Sequence, residues 1–237
     1  MRIGTALRAP AVPTRLMLVL GVLAASDGLY AQSTMGFSRQ FAFESTAPTN
    51  NHWISIPWNY HPTDVGTVGV LDAEDLCLDL GGFETVGAVI RWNESTSTLS
   101  EHLCGTPSPF ALSKGVGYGV RNAPGRDIQG AVVGAHDNSH SYSIAASGTS
   151  QLSWLSIPYH IRIPENLGVL LVTAEDLCRQ VGASEILAIV RWNNAASVFE
   201  AYGCGSDLAV PFEIERGEAY GLVNRGTQAI SWQPTHY

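Results

Sequence analysis

A repeat at a spacing of 100 to 102 residues constrains this chain more than any other feature. Trp53-Ile54-Ser55-Ile56-Pro57 returns as Trp154-Leu155-Ser156-Ile157-Pro158, and Ala73-Glu74-Asp75-Leu76-Cys77 returns as Ala174-Glu175-Asp176-Leu177-Cys178. Arg91-Trp92-Asn93 matches Arg191-Trp192-Asn193, and Cys104-Gly105 matches Cys204-Gly205. Gly115, Tyr118 and Gly119 match Gly217, Tyr220 and Gly221. Motifs kept in one order at one spacing define two copies of one structural unit. Residues 32–137 form the first repeat and 138–237 the second, with the boundary near Asp137.

Each copy predicts the same local structures. Asp72 or Thr173 is placed to N-cap a helix whose third position is Asp75 or Asp176, a near capping box. Leu71 with Leu76, and Val172 with Leu177, occupy the positions of a hydrophobic staple, and Gly81 and Gly182 stop the helix. Two turns of helix do not persist alone in water, so the face bearing Leu76, Cys77 and Leu80 must be buried. The same holds for Leu177, Cys178 and Val181. Residues 84–92 and 185–192 are rich in Val and Ile and predict strands, with hairpin partners over 99–103 and 198–202. Further strands are expected at Phe41–Phe43 and Tyr142–Ile144, around Phe110, Tyr118 and Val132, and around Phe212, Tyr220 and Ile230. The predicted fold class is α+β: two tandem modules, each a mainly antiparallel sheet with one short helix and one disulfide.

The cysteines follow the repeat. Each copy carries one helix Cys and one strand-end Cys, which selects Cys77–Cys104 and Cys178–Cys204 from three pairings. Each bridge closes a loop worth about 3–4 kcal/mol in the chain-entropy model. A metal site on these cysteines is set aside, because no C-x-x-C occurs and exported thiols tend to be oxidised.

Export is read from residues 1–31. Arg2, Arg8 and Arg15 precede an apolar run from Leu16 to Ala25, and Ala31 offers a cleavage site before Gln32. The run is too short to cross a bilayer as a helix. Its removal takes three Arg and Asp27, leaving 10 basic and 20 acidic residues and a net charge of −10, with Lys114 the only lysine. Such a surface repels phosphate backbones and anionic membranes, so no nucleic acid is expected as a partner and no membrane span in the mature chain. The expected location is secreted, periplasmic or cell-surface.

Most of the residues that could carry chemistry have plainer structural roles. Glu74-Asp75 and Glu175-Asp176 point about 100° apart on a helix and suit its N-terminal dipole better than acid–base catalysis. His136 and His140 are four apart but sit in turn-forming sequence, and Tyr60-His61 and Tyr159-His160 recur out of register. Gly115-Val116-Gly117-Tyr118-Gly119 lacks the Lys of a phosphate loop, and its counterpart carries Glu218. No common hydrolase signature is present, and no catalytic residue, metal or cofactor is assigned. The remaining candidates for ligand binding are Arg91, Trp92 and Tyr118 with Arg191, Trp192 and Tyr220. Exposed, they offer duplicated aromatic platforms; buried, they fill a core. Strand alternation places Ile90 and Trp92 on one face and Val89 and Arg91 on the other, and the Arg face is expected to meet solvent.

In order and composition these motifs resemble repeat modules of exported and cell-surface bacterial proteins: an Ile-Pro strand, an Ala-Glu-Asp-Leu-Cys helix, an Arg-Trp-Asn turn, Cys-Gly and a Gly-x-x-Tyr-Gly strand. The resemblance spans nearly all of the mature chain in both copies. It implies a secreted repeat module and transfers no site residue. The leading expectation is a non-enzymatic binding or assembly protein whose partner is a protein or a further copy of itself. A carbohydrate-binding protein using the aromatics, with a polysaccharide as partner, and a small hydrolase are the alternatives.

Overall fold

Asp72 and Thr173 set the point at which each repeat leaves extended backbone. In the computed structural model the Asp72 carboxylate accepts from the Glu74 and Asp75 amides while Asp75 accepts from the Asp72 amide, a reciprocal capping box. Thr173 and Asp176 repeat the arrangement. The residues described are 36–45, 51–56, 59–60, 71–135, 139–146, 151–157, 173–215 and 217–234. Val172, the proposed boundary at Asp137, the leader at 1–31, and His61, His136, Tyr159 and His160 lie outside them.

The first repeat contains β1 (Gly36–Phe43), β2 (Asn51–Ile54), β3 (Asn59–Tyr60), α1 (Ala73–Asp79), β4 (Val86–Asn93), β5 (Thr98–Leu103), β6 (Tyr118–Asn122) and β7 (Ile128–Ala135). The second contains β8 (Tyr142–Ile144), β9 (Gln151–Ser156), α2 (Ala174–Val181), β10 (Ile186–Asn193), β11 (Val198–Gly203), β12 (Ala219–Asn224) and β13 (Ile230–Trp232). The main sheets have matching orders, β2-β6-β4-β5 and β9-β12-β10-β11, and all their pairings are antiparallel. Small sheets β1-β7-β3 and β8-β13 complete the two units. The chain is thus α+β, with two similar units, each holding one helix and one disulfide. Among the described residues, no helix is long and apolar enough to cross a membrane.

Each helix is held because its apolar face is buried on its own sheet. Leu76, Cys77 and Leu80 pack with Val86, Val89 and Val120; Leu177 and Cys178 pack with Ile186, Ile189 and Leu222. Cys77–Cys104 and Cys178–Cys204 then tie the helices to the ends of β5 and β11. Burying a Leu or Ile side chain contributes roughly 1.5–3 kcal/mol, so these clusters supply the affinity that a two-turn helix lacks.

Two expectations change. Phe110 and Phe212 lie outside strands; a single bridge forms beside each, Ala111 to Asp72 and Glu213 to Thr173. Their rings stack on Tyr118 and Tyr220, and that packing fixes the segments without a ladder. The Arg91 face is also the helix side of its sheet, since Val89 on that face is fully buried against α1. The Arg91 guanidinium lies 4.5 Å from the Phe110 ring centroid, covering the rim of the core and not projecting into solvent.

Candidate functional site

The two sheets turn the faces away from their helices toward each other, and most of the repeated motifs meet there. Trp53 and Trp154 stack with centroids 4.2 Å apart and ring planes 17° apart. Trp92, Trp192, Leu152 and Val190 pack around them. The indole N–H of Trp92 donates to the Leu152 carbonyl at 2.8 Å, and that of Trp192 donates to the Asn51 carbonyl at 2.7 Å. Asn51 and Leu152 are themselves equivalent positions, so the two bonds are related by a pseudo-twofold axis. Backbone contacts obey the same symmetry: the Ser55 amide donates to Gly217 and the Ser156 amide to Gly115, both at 2.8 Å.

This geometry explains the motifs one by one. In Trp-x-Ser-Ile the Trp stacks on its counterpart, the Ser amide crosses between repeats, and Ile56 or Ile157 enters its own core. Gly119 and Gly221 let those indoles lie flat on the sheet. A Cβ on Gly119 would stand 3.1 Å from Ile90 and 3.4 Å from Trp53, and one on Gly221 would stand 2.7 Å from Leu152. Asn93 and Asn193 close the β4–β5 and β10–β11 turns by accepting from the amides of Ser95 and Ala196.

Tyr118 and Tyr220 are 1 % and 0 % exposed. Their hydroxyls accept from the Ser113 and Glu215 amides at 2.6 Å. Burial pushes the pKa of both phenols up, and the Glu218 carboxylate adds to the effect at Tyr220. Arg191 lies 4.6 Å from the Phe212 centroid, matching Arg91 on Phe110, and pairs with Glu200 at 2.8 Å. Of the six aromatic-platform candidates, then, the tyrosines have no open ring face. The arginines rest on core phenylalanines, and the half-buried Trp92 and Trp192 are tied to the opposite repeat.

Glu74 and Glu175 tether their helices to the Cys-Gly turns. Glu74 accepts from the Gly105 amide at 2.9 and 3.1 Å and from His102 Nε2 at 2.8 Å. Glu175 accepts from the Gly205 amide at 3.3 Å and from the Tyr202 hydroxyl at 2.9 Å. The conformation at Gly105 and Gly205 is left-handed, with φ of 79° and 72°, which suits the glycine of Cys-Gly.

Sequence reasoning missed His52 and His102. His52 is 4 % exposed and stacks on Phe43 at 4.0 Å; burial lowers its pKa to about 4, with Asn122 partly opposing the shift. It borders a cleft of about 150 Å³ whose other walls include Phe43, Trp192, Asn194 and Glu218. The histidines carried no signal because their repeat partners are Ser153 and Tyr202.

No family model, curated protein or solved structure matches the chain.

Proposed function

We propose that this is an exported, non-enzymatic protein that binds or assembles by adding strands at the open edges of its two sheets. One observation carries the reading: among the described residues, two of the four main-sheet edges meet the opposite repeat and two are open. Strands β2 and β9 have carbonyls occupied by the indoles of the opposite repeat. Among the described residues, strands β5 and β11 each pair on one side only. The Cys104 amide donates to Gly87 and the Cys204 amide to Leu187, so by antiparallel alternation the backbones of Leu99, Glu101 and Leu103 face outward. Phe199, Ala201 and Gly203 do the same on β11. The Leu103 and Gly203 carbonyls already accept from the Thr106 and Ser206 amides; beside the remaining outward groups stand Leu99, Leu103, Val198 and Phe199, each about half exposed. Open edges flanked by apolar side chains favour pairing with another strand.

The two disulfides suit an oxidising compartment, and the leader-like residues 1–31 support delivery there. The partner is a strand of a second copy or of another exported protein. Light scattering of the oxidised mature chain over a concentration series is expected to show self-association. Glu101→Pro with Ala201→Pro removes one outward amide from each edge and is expected to abolish it, with the inner ladders kept. A monomer at every concentration that is retained on a polysaccharide panel would replace this reading with glycan binding.

A further inference from the structure

The cleft beside β2 is where the pseudo-symmetry breaks. Trp53, Trp192 and Gly217 in its walls have equivalents in Trp154, Trp92 and Gly115, so the scaffold is common to both sides of the interface. The polar groups are not. His52, Asn194, Glu215 and Glu218 stand where the opposite side has Ser153, Glu94, Ser113 and Val116. On that opposite side the polar groups satisfy one another: the Ser153 hydroxyl bonds the Glu94 carboxylate, and the Gln151 amide donates to the Glu94 carbonyl at 2.6 Å. In the cleft they do not. His52 Nε2 and Asn194 Oδ1 are buried with no hydrogen-bond partner, and His52 as a whole is 4 % exposed. The contact of Asn122 with the imidazole leaves Nε2 unbonded. Buried polar atoms left open in this way mark a place that is completed from outside the chain.

We propose that this cleft binds a primary alkylammonium group. Its polar lining is made of acceptors: the Glu215 and Glu218 carboxylates, Asn194 Oδ1, and His52 Nε2 in the tautomer that keeps its proton on Nδ1. Among the described residues, no Lys or Arg lines it. An ammonium group has three N–H donors and no acceptor, the complement of such a lining. Phe43 and Trp192 add aromatic walls, which attract cations. Among the described residues the two carboxylates and the imidazole do not converge closely enough to share a metal ion, so a cation with an apolar body of its own is the better match. The cleft measures about 150 Å³. A cavity of that size holds benzene, so the charged head and about four carbons fit. The carboxylates repel anions, and the chain's net charge of −8 raises the local concentration of cations. This inference stands apart from strand pairing at β5 and β11, which lie at the opposite edges of the sheets.

The test is an NMR titration of the oxidised mature chain with butylammonium chloride at pH 7, read on the Trp192 indole N–H and the His52 ring. Saturable shifts at both are expected, with a Kd of about 1–10 mM for so small a ligand. Sodium butyrate and 1-butanol at the same ionic strength are expected to bind about tenfold more weakly or not at all. Nα-acetyl-lysine N-methylamide separates the sources of the group: binding within about threefold of butylammonium assigns the cleft to lysine side chains, and its failure beside bound butylammonium assigns it to free amines. E215S/E218V installs the residues of the opposite side, so the fold has a precedent for them, and is expected to weaken butylammonium binding by about tenfold. Should that variant unfold, Glu215→Gln at its exposed position carries the same test, with about threefold weakening. A flat titration, 1-butanol binding as tightly as butylammonium, shifts that bypass Trp192 and His52, or unchanged affinity in the folded variant would each overturn the proposal.

Discussion

Trp53 and Trp154 occupy the same position in two copies of one sequence, and their rings lie stacked on each other. The repeat therefore does more than duplicate a module: it provides both halves of an isologous contact, in which each copy gives and receives the same interactions.

The stack makes the two tryptophans energetically equivalent. Trp53→Ala and Trp154→Ala are each expected to destabilise the chain by about 3–5 kcal/mol, the range for large aromatic truncations in cores. Thermal or denaturant unfolding measures this. Equal losses fit a shared contact, and a loss in only one variant contradicts it.

Gly119 and Gly221 test the same contact from the backbone side. Gly221→Ala brings a methyl to 2.7 Å from Leu152, and Gly119→Ala brings one to 3.1 Å from Ile90. Overpacking of this kind costs about 1–3 kcal/mol; the close atom at Gly221 is the movable Cδ1 end of Leu152, whereas the one at Gly119 is the fixed Cβ of Ile90, so Gly119→Ala is expected to give the larger drop in denaturation midpoint.

Much of each unit was legible because its causes are local. The caps at Asp72 and Thr173, the buried face of each helix and the cysteine pairing follow from spacings within one repeat. The interface was not legible, since nothing near Trp53 in the sequence says that its partner is Trp154. The Arg91 face was misassigned for a related reason. Both faces of β4 are covered, one by α1 and one by the other repeat, whereas alternation distinguishes a face only from its opposite. Phe110 and Phe212 read as strand because aromatic residues favour strands, but their rings are held by Tyr118 and Tyr220.

His52 gives the fold a definite acid sensitivity. Its pKa falls from 6.5 to about 4 in the folded chain, so below 6.5 the unfolded state takes up a proton that the folded state refuses. The stability held by the neutral ring is complete above pH 6.5 and is lost progressively down to about pH 4. A shift of this size corresponds to a loss on the order of 3 kcal/mol. His52→Phe keeps a ring on Phe43 and is expected to flatten the stability profile in that window, as read by urea midpoints at stepped pH. An unchanged slope contradicts the assignment.

The staples are predicted to contribute similarly. C77A/C104A and C178A/C204A, each opening a loop of 27 or 26 residues, should lower stability by roughly 3 kcal/mol apiece. Chemical denaturation at neutral pH in non-reducing buffer reads the difference directly.

The central claim is that the inward edges are sealed by indoles while β5 and β11 stay available. Residue-resolved hydrogen exchange of the oxidised mature chain, at dilute and at associating concentrations, tests it most directly. The account predicts slow Trp92 and Trp192 indole protons throughout, with the amides of Leu99, Glu101, Leu103, Phe199, Ala201 and Gly203 fast when dilute and protected on association. Association that leaves those six amides fast, or indole protons that exchange freely in the monomer, would contradict it.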